Sequence, residues 1–156
     1  AGNTDNVIPQ TVQLRGTARS LDAGVQDLLE ANLHRIVENT AAAYGAKAKL
    51  TYRRSYPVLV NHDRETEFAS GVAKQIAGTE RVNTKLPPMM GAEDFSYVLQ
   101  KAPGAMMFLG ASPEGGDWRT CCALHSNRMV LDDSVMARGA AVHAALAERF
   151  LAEGFG

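Results

Sequence analysis

Apolar and polar residues alternate in two stretches of the first third of the chain. Residues 11–19, TVQLRGTAR, place Val12 and Leu14 between polar neighbours, and residues 47–54, KAKLTYRR, alternate in the same way. Such alternation is typical of half-buried strands. We therefore predict two strands here, and expect their backbone edges to pair with further strands or with a second chain.

A helical period separates these two stretches. After Ser20, the expected N-cap, apolar residues recur every three or four positions until Gly45, the expected left-handed helix end. The apolar positions are Val25, Leu28, Leu29, Leu33, Ile36, Val37 and Ala41. Residues 6–56 are thus predicted to form a strand–helix–strand unit, with the helical stripe packed on one face of a sheet.

Helical and extended patterns also follow one another in the second half, with glycine and proline at the breaks. A helix is predicted to start at Asp63 or Thr66 and to end at Gly78. The later elements are a short helix over 93–101, a buried strand over 105–109 and a last helix over 132–154. This order predicts the end of a larger α/β layer rather than a closed domain.

Composition limits the classes of protein that remain. The 156 residues include 46% hydrophobic and 21% charged residues, with a formal net charge of -1, which gives no sign of a nucleic-acid or anionic-membrane partner. The strongly apolar run at 105–109 is too short to span a bilayer. Adjacent Cys121 and Cys122 close a disulfide only with strain, so we predict free thiols in a reducing compartment, the cytoplasm.

His125 is the main candidate for metal chemistry. It lies in a loop between the turn-forming residues 113–117 and the last predicted helix, where an imidazole can point into a cleft and bind zinc or a similar ion. A metal site needs three or more ligands, so His125 would supply part of one, and a structural role stays open. Of the other histidines, His34 and His62 are predicted at the surface and His143 in helix packing.

Several polar residues are candidates for substrate contacts. Glu93 and Asp94 follow a glycine at a loop-to-helix junction, where an acid can stabilise the helix N-terminus or line a pocket. Asn6 precedes the first predicted strand and Arg19 ends it, so an amide and a guanidinium are available for a carboxylate or a carbonyl oxygen. An ordinary surface role remains the alternative for Arg19.

Three stretches, in this order and spacing, resemble one family. The first is NVIP at 6–9 followed by GTAR at 16–19, the second is MGAEDFS at 90–96, and the third is LHSN at 124–127 leading into DD at 132–133. They resemble the aminoacylase and carboxypeptidase family of dinuclear metallohydrolases, and within it the hippurate hydrolase and indoleacetyl-amino-acid hydrolase type of amidohydrolase. Two positions depart from the family pattern: Asn127 stands where proline is common, and Ala92 where serine is frequent.

The resemblance implies an α/β fold in two parts. Residues 1–56 would be the second, strand–helix–strand half of a ferredoxin-like lid domain that also forms homodimers. Residues 57–156 would be the C-terminal α/β part of a zinc-peptidase-like catalytic domain. The chain would then be the C-terminal portion of a longer enzyme, and its start in loop-like sequence is what a fragment or processed product would show.

The same resemblance implies the chemistry. His125 would be a metal ligand, and Asn6, Arg19 and Glu93 would contact substrate, while this chain would hold no catalytic base. The intact parent would bind two divalent ions (zinc, manganese or cobalt) and cleave the amide bond of N-acyl amino acids such as hippurate, or of small peptides. The isolated chain is expected to be inactive and to order no metal. The alternative is a non-catalytic dimerisation or ligand-binding module derived from such a hydrolase.

Overall fold

The computed structural model describes residues 2–116 and 124–155. The helices found there are α1 (Ala23–Ala43), α2 (Asp63–Ala77), α3 (Phe95–Leu99) and α4 (Met136–Glu153), with short 3-10 turns at Thr79–Arg81 and Asp133–Val135. None of these described helices combines the length and the apolar content that crossing a bilayer requires. The chain divides into unit 1, Ala1–Val58 with Pro88–Gly91, and unit 2, Leu59–Pro87 with Ala92–Gly156.

No strand occurs in the described residues, so the predicted α/β fold, with its strand–helix–strand half of a ferredoxin-like lid, is wrong. The stretches predicted as strands, 11–19, 47–54 and 105–109, carry no regular secondary structure. Alternation of apolar and polar residues tells only which side chains would share a face. A strand also needs a neighbouring strand for its backbone N–H and C=O groups, and no such ladder forms within the described ranges.

In unit 1, α1 begins two residues later than predicted. Its N-cap is Asp22, whose Oδ1 accepts the Val25 N–H at 2.9 Å, so Ser20 does not cap the helix. None of the residues of α1 is buried, and Leu28 and Ile36 are 61% and 51% exposed. The predicted packing of the apolar stripe on a sheet face is therefore wrong, because the described residues form no sheet for it to cover.

The C-terminal end of α1 agrees with the sequence prediction. Gly45 has a φ of 69°, the left-handed conformation that glycine adopts without a steric penalty. Its N–H donates to the Ala42 carbonyl at 3.0 Å, and the Ala46 N–H donates to the Ala41 carbonyl at 2.9 Å. These two bonds form a Schellman motif, which satisfies carbonyl groups that the helix itself leaves unpaired.

Arg54 joins the 47–54 segment to α1. Its guanidinium forms ion pairs with Asp27 at 2.7 Å and with Glu30 at 2.5 Å. The hydrogen bonds that Arg54 donates to Glu30 and then to Asp27 raise the pKa of Arg54 further above its ordinary value. The segment is thus attached to the helix through charged side chains rather than through a buried apolar layer.

The core of unit 2 lies where α2 contacts α4. The buried apolar side chains of α2 are Ala69, Val72 and Ala73. Leu99 of α3 is buried as well. At the edge of this contact the Phe155 ring lies between two others, with centroid distances of 5.4 Å to Phe68 and 4.8 Å to Phe150. Aromatic contacts at these distances add to the free energy gained by burying apolar area.

The remaining helices of unit 2 are shorter than predicted or start differently. α3 is five residues long rather than spanning 93–101, and its Val98 is 49% exposed. The last helix is preceded by the 3-10 turn, whose N-cap Asp132 accepts the Ser134 N–H at 3.0 Å. The Asp132 N–H donates to the Ala111 carbonyl at 2.9 Å, which ties the start of this turn to the chain that follows residue 110.

Candidate functional site

His125 lies in the turn at residues 124–128 with a φ of 70°, and among the described residues it alone has a positive φ without being glycine. Holding a non-glycine residue there costs of order 1–3 kcal/mol, and such strained residues cluster at functional sites. Ser126 organises the turn: its carbonyl accepts the Met129 N–H at 3.1 Å, and its hydroxyl accepts the Arg128 N–H at 3.1 Å. The His125 side chain is exposed, so its imidazole is accessible to a ligand.

A complete metal site is not present in the described residues. They contain no group of three or more His, Cys, Asp or Glu side chains that could hold an ion. Tight binding of a divalent metal needs several ligands held together. The described residues therefore do not fit two metal ions by themselves, and His125 would be one ligand of a larger set. Cys121 and Cys122, predicted as free thiols, lie outside the described residues.

Glu93 immediately precedes the N-cap of α3 and is half-buried. Its carbonyl oxygen accepts two hydrogen bonds from Ser96, from the hydroxyl at 2.5 Å and from the N–H at 3.2 Å. Asp94 occupies the N-cap position, but its side chain makes no capping hydrogen bond. The helix-capping role left open for Asp94 is therefore not what the structure shows, and the backbone of Glu93 is held by a serine instead.

The predicted site residues are divided between the two units. Asn6 and Arg19 lie in unit 1, where both are exposed on backbone without regular secondary structure. Glu93 and His125 lie in unit 2. The substrate-binding role of Asn6, Arg19 and Glu93 stays a prediction, as does the metal-ligand role of His125.

The three other histidines differ from their predicted surroundings. His34, predicted at the surface, is half-buried on α1. His62 is half-buried rather than a free surface residue: its Nδ1 accepts the Gly104 N–H at 3.1 Å. His143, predicted to pack within its helix, is exposed on α4. An exposed imidazole on a regular helix makes His143 a suitable comparison for His125.

Sequence reasoning also missed a buried acid. Glu65 is 6% exposed, and its Oε1 accepts hydrogen bonds from Arg64 Nε at 3.0 Å and Nη2 at 2.8 Å. The bond from Arg64 is the main cause that lowers the pKa of Glu65. The helical period of the sequence could have predicted this burial. The buried face of α2 includes positions i, i+4 and i+7, which are Glu65, Ala69 and Val72.

Comparison with known proteins gives the family. The profile of Peptidase family M20/M25/M40 matches residues 4–149. A putative amidohydrolase of Bacillus subtilis is 41% identical over 114 residues, which is 73% of this chain and 28% of that relative. Thermostable carboxypeptidase 2 of Saccharolobus solfataricus is 36% identical over 153 residues (96% of this chain, 37% of the relative). Hippurate hydrolase of Campylobacter jejuni is 29% identical over 151 residues, which is 97% of this chain and 38% of that relative.

No solved structure matches the chain. The chain spans about a third of the length of the curated relatives, between 28% and 38% of each of the three named. The family match, by contrast, takes in nearly all of the chain and includes the three stretches on which the resemblance rests. That resemblance is thereby confirmed, and the chain belongs to Peptidase family M20/M25/M40.

Proposed function

We propose that this chain is the C-terminal portion of a metal-dependent amidohydrolase that cleaves the amide bond of N-acyl amino acids such as hippurate, or of small peptides. The observation that carries the proposal is the family match over residues 4–149. The relatives named amidohydrolase, carboxypeptidase and hippurate hydrolase support the same class of reaction. Their greater length supports the view that the chain is one portion of the enzyme.

In this proposal His125 is a ligand of one of two divalent ions, zinc, manganese or cobalt, in the intact enzyme. Its accessible ring and its strained backbone conformation support the assignment. The described residues hold no group of three ligands. As the family resemblance implies, we place the other ligands and the general base in further residues of the intact enzyme. The 156-residue chain alone is therefore expected to be inactive.

Substrate contacts are proposed for Asn6, Arg19 and Glu93. The planar guanidinium of Arg19 suits the carboxylate of an amino acid, and the Asn6 amide can donate a hydrogen bond to a carbonyl oxygen. Both side chains are exposed and so are available to a ligand. Glu93 is half-buried with its carbonyl fixed by Ser96, which supports a defined position for its carboxylate.

We further propose that residues 1–56 form a lid segment that mediates homodimerisation, and that residues 57–156 are the catalytic portion. Large apolar side chains exposed in the first segment support a protein contact there; examples are Val12 at 60%, Leu14 at 90% and Leu28 at 61%. Pairing of open strand edges no longer supports it, because the described residues form no strand. A cytoplasmic location stays a proposal from the adjacent cysteines.

The test compares the 156-residue chain with the intact enzyme that contains it, using hippurate with added zinc or manganese. Each is assayed with the native residue, with His125→Ala and with His143→Ala; both histidines are exposed, so the second variant is a matched control. We expect turnover by the intact enzyme alone, a fall in kcat/KM of at least about 100-fold for His125→Ala, and no change for His143→Ala.

Two outcomes would contradict the proposal. Turnover by the 156-residue chain that disappears in His125→Ala would show that this segment holds a complete site. An intact protein that dimerises but hydrolyses no acyl amino acid or peptide would favour the non-catalytic module instead.

A further inference from the structure

Ser96 is the most deeply buried polar residue next to the candidate site. It lies in α3 and is 1% exposed. Its hydroxyl donates to the Glu93 carbonyl at 2.5 Å, and its backbone N–H donates to the same oxygen at 3.2 Å. Two donors of one residue thus converge on a single acceptor, and they define the orientation of the peptide group between Glu93 and Asp94.

Little else within this turn performs the same task. The side chain of the N-cap residue, Asp94, makes no capping hydrogen bond. The next backbone bond, from the Tyr97 N–H to the Asp94 carbonyl at 3.0 Å, constrains the following peptide group rather than that of Glu93. The short bond from the Ser96 hydroxyl is therefore a direct side-chain constraint on the Glu93 backbone, and its donor residue is buried.

We infer that Ser96 is a positioning residue for Glu93, an inference that rests on the proposed function of Glu93 in substrate binding. By holding the Glu93 carbonyl from inside unit 2, Ser96 sets the direction in which the Glu93 side chain leaves the backbone. Because the backbone of half-buried Glu93 is already fixed, little further conformational entropy is lost when its carboxylate binds a ligand. Removal of the hydroxyl leaves the carboxylate chemically intact but lets its position vary.

A double-mutant cycle in the intact enzyme tests this inference. The variants are Ser96→Ala, Glu93→Gln and the double variant, with kcat and KM measured on hippurate. The control is Ser70→Ala, because the Ser70 hydroxyl also donates to a carbonyl three residues back, that of Glu67 at 3.0 Å, in a different helix. We expect Ser96→Ala to lower kcat/KM about 10-fold in the native background and to have no effect in the Glu93→Gln background.

An equal loss in both backgrounds would overturn the inference, because a merely structural role lowers activity whether or not the Glu93 carboxylate is present. No effect of Glu93→Gln on its own would also overturn it. If Ser96→Ala does not fold, the cycle is measured with Ser96→Cys, which has nearly the same size and a weaker donor. The coupling to Glu93 is then expected to be smaller but of the same sign, and its absence would count against the inference.

A second measurement does not depend on turnover. Hydrogen–deuterium exchange in the 156-residue chain is expected to become faster over residues 93–97 in Ser96→Ala, and to stay unchanged there in Ser70→Ala. Unchanged exchange in Ser96→Ala would overturn the inference. Faster exchange in an intact protein that hydrolyses no substrate would instead show that the constraint exists and that the proposed function is the part that fails.

Discussion

The side-chain amide of Asn61 forms hydrogen bonds with both backbone polar groups of Met106: Nδ2 donates to the carbonyl at 2.9 Å and Oδ1 accepts the N–H at 2.8 Å. The next residue, His62, continues the contact, because its N–H donates to the Gly104 carbonyl at 3.0 Å and its Nδ1 accepts the Gly104 N–H at 3.1 Å. Side chains here supply part of what a neighbouring strand would supply. They attach the residues before α2 to the stretch at 105–109.

The Asn61→Ala substitution should therefore loosen unit 2. Both polar groups of Met106 lose their partner, and we expect the free energy of unfolding to fall by about 1–3 kcal/mol. Amide exchange at Met106 should become faster. The control is Asn39→Ala, since Asn39 Nδ2 donates to the Arg35 carbonyl at 2.7 Å on the exposed side of α1, and it should change stability by less than about 0.5 kcal/mol. Equal effects of the two variants would contradict the anchoring role of Asn61.

Two glycine substitutions should act in opposite directions. Gly71 lies inside α2, and a β-carbon there would meet only Arg149 Nη1, at an ordinary 3.8 Å. Gly71→Ala is expected to stabilise the chain by about 0.5–1 kcal/mol, because alanine loses less backbone entropy on folding. Gly45→Ala is expected to destabilise it by about 1 kcal/mol, because the φ of 69° disfavours a side chain. Urea unfolding measures both, and changes of the same sign would contradict the assigned conformations.

Replacement of His125 should separate stability from activity. Because φ is 70°, His125→Gly removes the steric cost of a β-carbon and should raise the free energy of unfolding by up to about 1 kcal/mol. His143→Gly, inside α4, should instead lower it by about 0.5 kcal/mol. The intact enzyme should lose activity only in His125→Gly. A loss of stability in His125→Gly would show that its side chain supports the fold, which would argue against strain kept for function.

The Arg64–Glu65 pair should make stability depend on pH. The pKa of Glu65 in the folded chain lies below its ordinary value of 4.5, chiefly because Arg64 donates to the ionised carboxylate. Ionised Glu65 therefore contributes stability that is fully present above that value and is lost as the pH falls through the folded-state pKa.

Glu65→Gln should lower the Tm near neutral pH, and its difference from the native chain should shrink as the solution becomes acidic. The control is Glu67→Gln, which replaces an exposed acid of the same helix and should show no such trend. Thermal unfolding followed by circular dichroism over about pH 3 to 7 measures the effect. A Tm difference between Glu65→Gln and the native chain that does not vary with pH would contradict the role of the ion pair.

The sequence by itself determined features that depend on a few neighbouring residues. Gly45 ends α1 in the left-handed conformation and α2 ends before Gly78, as predicted. α2 starts at Asp63, one of the two predicted starts. Caps and glycine conformations act over one or two turns, so their signals are complete within a short window. The motifs that revealed the family are equally local, since each combines particular side chains at fixed short spacing. The prediction that His125 is a metal ligand rests on one of these motifs, at 124–127.

Only the tertiary structure decided which segments find partners. Residues 11–19, 47–54 and 105–109 carry strand-like patterns, yet no strand forms in the described chain, because pairing depends on distant backbone and not on the pattern itself. The same holds for His62, whose bond to Gly104 joins residues 42 positions apart. A local pattern specifies the backbone conformation and the hydrogen-bonding groups that a residue offers. Which distant residue it contacts depends on how the whole chain folds.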